Sequence, residues 1–234
     1  MARSSVVILA LESSAGQASA AVSCDGVVLG QVSHTADHGH AAWMVTLAQD
    51  VMRQSGFGFD QLSHIVAGRG PGSFTGIRVA LAAAKGLALS LNIGASGLSS
   101  LSAMASQIKA DDKADGRYLM TSVDSRRGSI FYQAFSPDGQ PCTDIQDGMI
   151  DDIQALMAGK KEKWVLSGHA THVSADNGEG FWGDHVMLID SNAPEATGLL
   201  SHYHAMTKAS PTAKPSFKDL EPLYLSAPLL GPRS

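Results

Sequence analysis

The chain has 234 residues, 44% of them hydrophobic and 17% charged, with a net charge of −5. That is the composition of one large or two small globular domains able to bury a core, and the absence of a basic patch or tail argues against autonomous nucleic-acid binding. Two distant cysteines, Cys24 and Cys142, lack metal-ligand spacing and suit a reducing cytoplasm. The first ten residues lack the apolar core of a signal peptide. No apolar run reads as long enough to span a membrane, the helix at 75–91 being interrupted by Arg78 and Lys85.

A continuous apolar run at 6–11 predicts a central strand, and 17–23 and 27–33 predict two more, joined by the hairpin turn Asp25-Gly26. A helix is expected at 40–54, a strand at 65–68, a helix at 75–91 and a short strand at 93–96. Gly68, Gly70, Pro71, Gly72 and Gly76 crowd the strand-to-helix turn, and Ser73 or Thr75 offers an N-cap. Strand, glycine loop and helix N-terminus suit an anion, with Arg69 and Arg78 adding charge. The same glycines also fit simple close packing of helix on sheet. Arg78 sits where the helix dipole disfavours a cation, which an acidic partner would compensate, either from within this protein or from another molecule. The loop is neither a Walker A motif nor a dinucleotide fingerprint.

The second half repeats this order more weakly. Strands are predicted at 118–123 and 129–135, a poor third near 143–145, a short helix at 150–158, strands at 164–167 and 186–189, and a helix at 195–208. Residues 169–185 read mostly as loop, and the proline-bearing tail from Pro211 as irregular. Two halves with one element order imply a duplication. The predicted architecture is α/β and resembles the actin-like ATPase (ASKHA) fold: two duplicated lobes, each a mixed sheet with flanking helices, the second reduced. The expected divisions are a first lobe at 1–103, a second at 104–210 and a tail at 211–234.

The segments I-L-A-L-E-S-S at 8–14, G-R-G-P-G-S-F-T-G-I-R-V at 68–79, D-S-R-R-G-S-I-F-Y at 124–132 and P-L-Y-L at 222–225 resemble the TsaB family. The resemblance covers residues 6–135 well and the rest weakly. It implies a bacterial cytoplasmic protein, the non-catalytic subunit of the machinery that makes threonylcarbamoyladenosine in tRNA. It also implies a TsaD-like catalytic paralogue and a TsaE-like P-loop ATPase as partners, a homodimer when alone, and tRNA contact only through the complex. No cofactor of its own is implied, ATP or ADP being held by partner subunits or at their interface. Two departures stand out: Glu12 replaces the family's Asp, and Ser226 follows the tyrosine motif where Arg is usual.

The resemblance also says where a catalytic metal would be bound in the paralogue, through an H-x-x-x-H motif on a helix face. The matching region, 94–105, has no histidine. His34, His38 and His40 make a different cluster, read as loop residues or a helix-entry cap; His202 and His204 do not share a helix face, and no metal is assigned. No nucleophile elbow occurs. Asp124 beside Arg126 and Arg127 reads as an ion pair, or as an arginine facing the interlobe cleft. Ser167-Gly168-His169 is at best a remnant of a second phosphate loop. The rival reading is an independent actin-fold transferase or a glycoprotease-like peptidase, and a homodimeric regulator is a third.

The helices at 40–54 and 75–91 are apolar nearly all round. More apolar surface than one sheet contact needs implies a second buried face, either against another subunit or within a buried helix pair. The residues assigned to a partner are His40, Met44, Leu47, Val51, Val79, Ala83, Gly86 and Ser90. Gly70, Pro71, Gly72, Ser73, Thr75 and Gly76 shape the loop beside them, with Arg69 and Arg78 holding it or meeting an acidic partner.

Overall fold

A computed structural model describes residues 5–35, 40–158, 162–176, 181–189, 193–209 and 220–225. In the first sheet β1 (Val7–Glu12) and β2 (Gln17–Cys24) form a hairpin continued by β3 (Val27–Thr35), while β4 (Leu62–Gly68) and β5 (Gly94–Leu98) add in parallel, in the order β3-β2-β1-β4-β5. The second sheet repeats this with β6 (Tyr118–Asp124), β7 (Ile130–Phe135), β8 (Gln146–Gly148), β9 (Trp164–Gly168) and β10 (Val186–Ile189), in the order β10-β9-β6-β7-β8. The duplication inferred from element order is thus present strand by strand. The poor third strand lies slightly later than expected, and part of the predicted 169–185 loop is a helix, α5 (His169–Asp176). That helix is short and weakly amphipathic, which is why periodicity missed it.

β1 is buried on both faces, and its alternation sorts two cores. Val7, Leu9 and Leu11 face α1 (His40–Ser55) and α2 (Phe74–Leu91), with Met44, Val51, Ile77 and Ala84. Ile8 and Ala10 face α6 (Ala196–Ala209), with Ala196, Leu199 and Leu200. The second sheet carries α4 (Ile150–Met157) and α5 on one side. On its other side lies α3 (Ser100–Gln107), whose Leu101, Met104 and Ala105 pack on Leu119, Phe131 and Phe135. Each sheet is therefore covered on one face by a helix from the other half of the chain. The lobes expected at 1–103 and 104–210 thus exchange helices: α3 spans residue 103, and α6, expected in the second lobe, packs on the first sheet. Where α3 and α6 meet, a side chain on Gly198 would strike the Ala103 carbonyl.

By length and composition α2 could cross a bilayer, contrary to the sequence expectation. Its Ile77, Ala80, Leu81, Ala84 and Ala88 are nevertheless buried against the first sheet, the stripe of a core helix.

The dock of α6 is rich in buried imidazoles. His64 bonds Ser96 Oγ at 2.9 Å and stacks on Tyr203, and His204 Nε2 lies 3.0 Å from Ser23 Oγ. Burial lowers the pKa of His64 from 6.5 to about 4 and also lowers those of His202 and His204. The unfolded chain then binds more protons between these values. The stability from neutral His64 is complete above pH 6.5 and is lost as pH falls toward 4, by up to about 3 kcal/mol. Thermal melts between pH 7.5 and 4.5 should show this loss, and His64→Gln should flatten it.

Candidate functional site

The first candidate lies where the glycine loop meets the β1–β2 turn. Glu12 ends β1 fully buried. Its Oε1 accepts the Ser14 N–H at 2.7 Å and its Oε2 the Ser100 hydroxyl at 2.9 Å, while the Ser14 hydroxyl donates to Ser100 Oγ at 2.9 Å. Desolvation raises the Glu12 pKa, and the bonds from Ser14, Ser100 and Ser13 oppose that rise. Its stabilising contribution is accordingly complete below pH 4.5 and lost as pH climbs through the raised value. The carboxylate also fills the space beside Gly68, where a Cβ would collide with both its oxygens.

The loop's polar groups turn toward this network. Ser73 N–H donates to Ser14 O at 2.6 Å, Ser13 Oγ to Gly76 O at 2.7 Å, and Ser100 N–H to Gly70 O at 2.8 Å. Gly72, at φ +144°, and Gly76 both press on the Ser13-Ser14 backbone, where a side chain has no room. These contacts are the close packing that one of the two readings of the glycines describes. Ser73, not Thr75, is the N-cap, accepting the Gly76 N–H at 3.3 Å. The Ser167-Gly168-His169 turn is likewise spent internally: Ser122 Oγ accepts the Ala170 N–H at 2.9 Å and donates to Ser167 O at 3.0 Å. Ser13, Ser14 and Ser100 escaped the sequence reading because serines carry no sequence signal for burial; the E-S-S run after a central strand was the available clue.

Arg78 does not find the expected acid. Among the described residues no carboxylate pairs with it; its Nε donates to Tyr224 OH at 2.8 Å, and its guanidinium lies 3.7 Å from the Phe74 ring centroid. Phe74 and Tyr224 stack at 5.5 Å. Arg69 works through its backbone, donating to Leu98 O at 2.9 Å and accepting the Leu223 N–H at 2.8 Å. With Leu220 buried in the first core, these contacts bind the C-terminal segment across the N-terminus of α2.

Beside this segment a cavity of about 310 Å³ opens between the lobes, walled by Ser73, Phe74, Thr75, Phe131, Tyr224 and the Ser125–Arg127 turn. The ion pair and the cleft-facing arginine, offered as alternatives for that turn, occur together. Asp124 accepts the Arg126 N–H at 2.7 Å and pairs with its side chain at 3.5 Å, while Arg126 and Arg127 line the cavity. Arg126 has φ +62°, and its Nη2 would stand 3.5 Å from a Cβ on Gly16. It therefore spans from the second lobe's hairpin turn to the first's.

The helix faces need correction. Met44, Leu47 and Val51, assigned to a partner, are buried against the first sheet. The polar stripe Thr46, Gln49, Asp50 and Arg53 marks the solvent side of α1, opposite the stripe assigned to a partner. Val79 and Ala83 are half-buried where α1 and α2 pack. Gly86 and Ser90 are exposed as expected, and a Cβ on Gly86 meets nothing within 4 Å. Trp43, Val45 and Leu89 are the large apolar side chains of α1 and α2 left exposed beyond Phe74, the last 72% exposed, among polar neighbours such as Thr46, Gln49, Arg53 and Lys85. His34 stacks on Trp43 at 4.1 Å; His38 and the side chain of His40 lie outside the described residues. Among the described residues no three His, Cys, Asp or Glu side chains gather as a metal site. Both cysteines are free thiols.

A family model described as TsaD, tRNA N6-adenosine threonylcarbamoyltransferase, matches residues 24–183. The tRNA threonylcarbamoyladenosine biosynthesis protein TsaB of Escherichia coli (strain K12) is 30% identical over 131 residues, 56% of this chain and 55% of that protein. The protein of the same name from Bacillus subtilis (strain 168) is 34% identical over 117 residues, 47% of this chain and 48% of that protein. The chain thus spans about half the length of these relatives. Among solved structures, YeaZ from Pseudomonas aeruginosa superposes with a TM-score of 0.78 at 20% identity, over 94% of this chain and 100% of that one. The ethanolamine utilization protein EutJ from Carboxydothermus hydrogenoformans gives 0.50 at 12%, over 84% and 89%. At such identities the likeness is one of fold.

The glycines give a direct test. Gly76→Ala should cost at least about 1–3 kcal/mol, since backbone blocks the new Cβ. Gly86→Ala should gain about 0.5–1 kcal/mol from helix propensity. Urea titrations of both variants measure the contrast.

Proposed function

We propose that this chain, which belongs to the tRNA N6-adenosine threonylcarbamoyltransferase (TsaD) family and to its TsaB branch, is a non-catalytic subunit of a tRNA-modifying complex. It supports a TsaD-like catalytic paralogue by docking the solvent face of α1 and α2 against it, and a TsaE-like ATPase joins the pair. The complex acts in the cytoplasm, transfers a threonylcarbamoyl group to an adenosine of tRNA, and holds ATP or ADP on its other subunits or between them. In isolation the same face serves self-pairing.

The observation that carries this reading is the apolar side chains the two helices leave exposed, Trp43 at 41%, Val45 at 53% and Leu89 at 72%, with Gly86 open to solvent. Small residues there let a partner helix approach closely, and burying rings and aliphatic chains is what drives association. The interior favours a supporting role over the actin-fold transferase. The acid at the end of β1 is engaged by serines, and Arg126 spans the two hairpin turns between which that fold holds phosphates. The peptidase reading has no observation in its favour.

Reconstitution with the paralogue, the ATPase, tRNA and the threonylcarbamoyl donor tests the proposal. Product is expected only with every subunit present. Gly86→Arg with Leu89→Glu should abolish co-elution and product while shifting the melting temperature little, because neither side chain enters the core. Product from this chain alone, or full activity without it, would refute the scaffold role.

A further inference from the structure

The exposed face of α2 carries a charge that its own helix does not neutralise. Along its whole length α2 holds Arg78 and Lys85 and no carboxylate. Arg78 is engaged by Tyr224 and Phe74. Lys85 is exposed, and among the described residues no acid pairs with it. The positions three and four residues away, from which a carboxylate would reach it, hold Leu81, Ala82, Ala88 and Leu89. On α1 the arginine, Arg53, is already paired with Asp50 at 2.7 Å. The surface is thus locally positive on a chain whose net charge is −5.

Lys85 also stands beside the point of closest approach. Ala82, Gly86 and Ser90 follow at four-residue spacing, all exposed, and a Cβ on Gly86 would meet nothing within 4 Å. The distance between packed helices is set by the side chains between them, so a helix laid on this row comes nearest at Gly86. Lys85 and Leu89 form the neighbouring row, and Leu89 supplies apolar area to bury. A helix seated there takes water from the Lys85 ammonium, which then needs an acid. Two occupants fit the shape, a second copy of this chain and the catalytic paralogue. A second copy crossing at Gly86 repeats every residue about the two-fold axis. It brings Lys85 toward Lys85, with no acid on either α2 and with Asp50 of α1 held by its own Arg53. We propose that Lys85 selects between the two: the occupant is a helix of the paralogue with a carboxylate opposite Lys85, and like charge keeps self-pairing weak. The selection rests on the docking given above and adds the partner's chemistry to it. Rejecting the wrong partner contributes to such discrimination as much as attracting the right one.

The experiment compares the parent chain with Lys85→Gln and Lys85→Glu, each alone and mixed with the paralogue. Sedimentation gives the dissociation constants of the mixed pair, over a series of salt concentrations, and of self-association. Lys85→Gln is expected to weaken the mixed pair about fivefold and to flatten its salt dependence, and Lys85→Glu to weaken it about tenfold or more. Self-association of Lys85→Gln should move the other way, tightening about threefold or more as the like charges are removed. Melting temperatures should stay close to the parent's, because the side chain is exposed. A mixed pair unaffected by Lys85→Glu overturns the proposal, and so does a Lys85→Gln chain that self-associates no more tightly than the parent. Failure of the parent to pair with the paralogue overturns the docking itself, and is seen before any variant is compared. If Gly86→Arg with Leu89→Glu breaks the mixed pair while Lys85→Glu does not, the docking stands and the selection by Lys85 falls.

Discussion

Each sheet is closed by a helix that chain order assigns to the opposite lobe. α3 leaves the first sheet and packs on the second, α6 returns from the second and packs on the first, and the two helices cross at Gly198 and Ala103. Neither lobe can bury both faces of its sheet alone, so neither has a complete core without the other. The exchange holds the two hairpin turns face to face and thereby positions the cavity between them. The imidazoles of His64, His202 and His204 lie in this dock, and their lowered pKa values make its packing sensitive to acid.

Around the first hairpin the same coupling continues at smaller scale. Glu12 reaches β1, the Ser14 turn, the end of β4 at Gly68 and the start of α3 at Ser100. A buried carboxylate is costly unless its lone pairs are occupied, and here a backbone N–H and a hydroxyl occupy them. The glycine loop completes the arrangement by giving up side chains where Ser13 and Ser14 press against it. A pattern that suggests an anion cradle is in this chain a tight joint between hairpin, loop and helix. The charge that faces the cavity comes instead from the second lobe's turn.

The outer surface divides by chemistry. Along α1 and α2 it mixes exposed apolar side chains, Trp43, Val45 and Leu89, with the polar Thr46, Gln49, Arg53 and Lys85. At the N-terminus of α2 it is aromatic and cationic, walled by the C-terminal segment. The two regions share a helix and differ in what they offer: one presents a surface to bury, the other a recess with fixed rings and guanidinium groups.

Duplication, strand order and the kinship of the glycine motif were legible in the sequence because they rest on local rules. Continuous apolar runs mark buried strands, Asp25-Gly26 marks a hairpin, and clustered glycines mark a backbone under close approach. Met44, Leu47 and Val51 lie opposite the polar stripe Thr46, Gln49, Asp50 and Arg53 of α1, and pack on the first sheet. The same rules fail where a choice depends on distant neighbours. The short α5 had too little amphipathic signal to separate from loop. Ser13, Ser14 and Ser100 are ordinary surface types by composition, and they became a buried network only when α3 crossed to the other sheet. Arg78 meets not an acid within the described residues but the hydroxyl of Tyr224, 146 positions away in sequence. The sequence determined the elements and their order through local chemistry; the tertiary structure decided which faces are buried, which lobe each helix serves and where the charges meet, because those depend on contacts between residues the chain brings together only on folding.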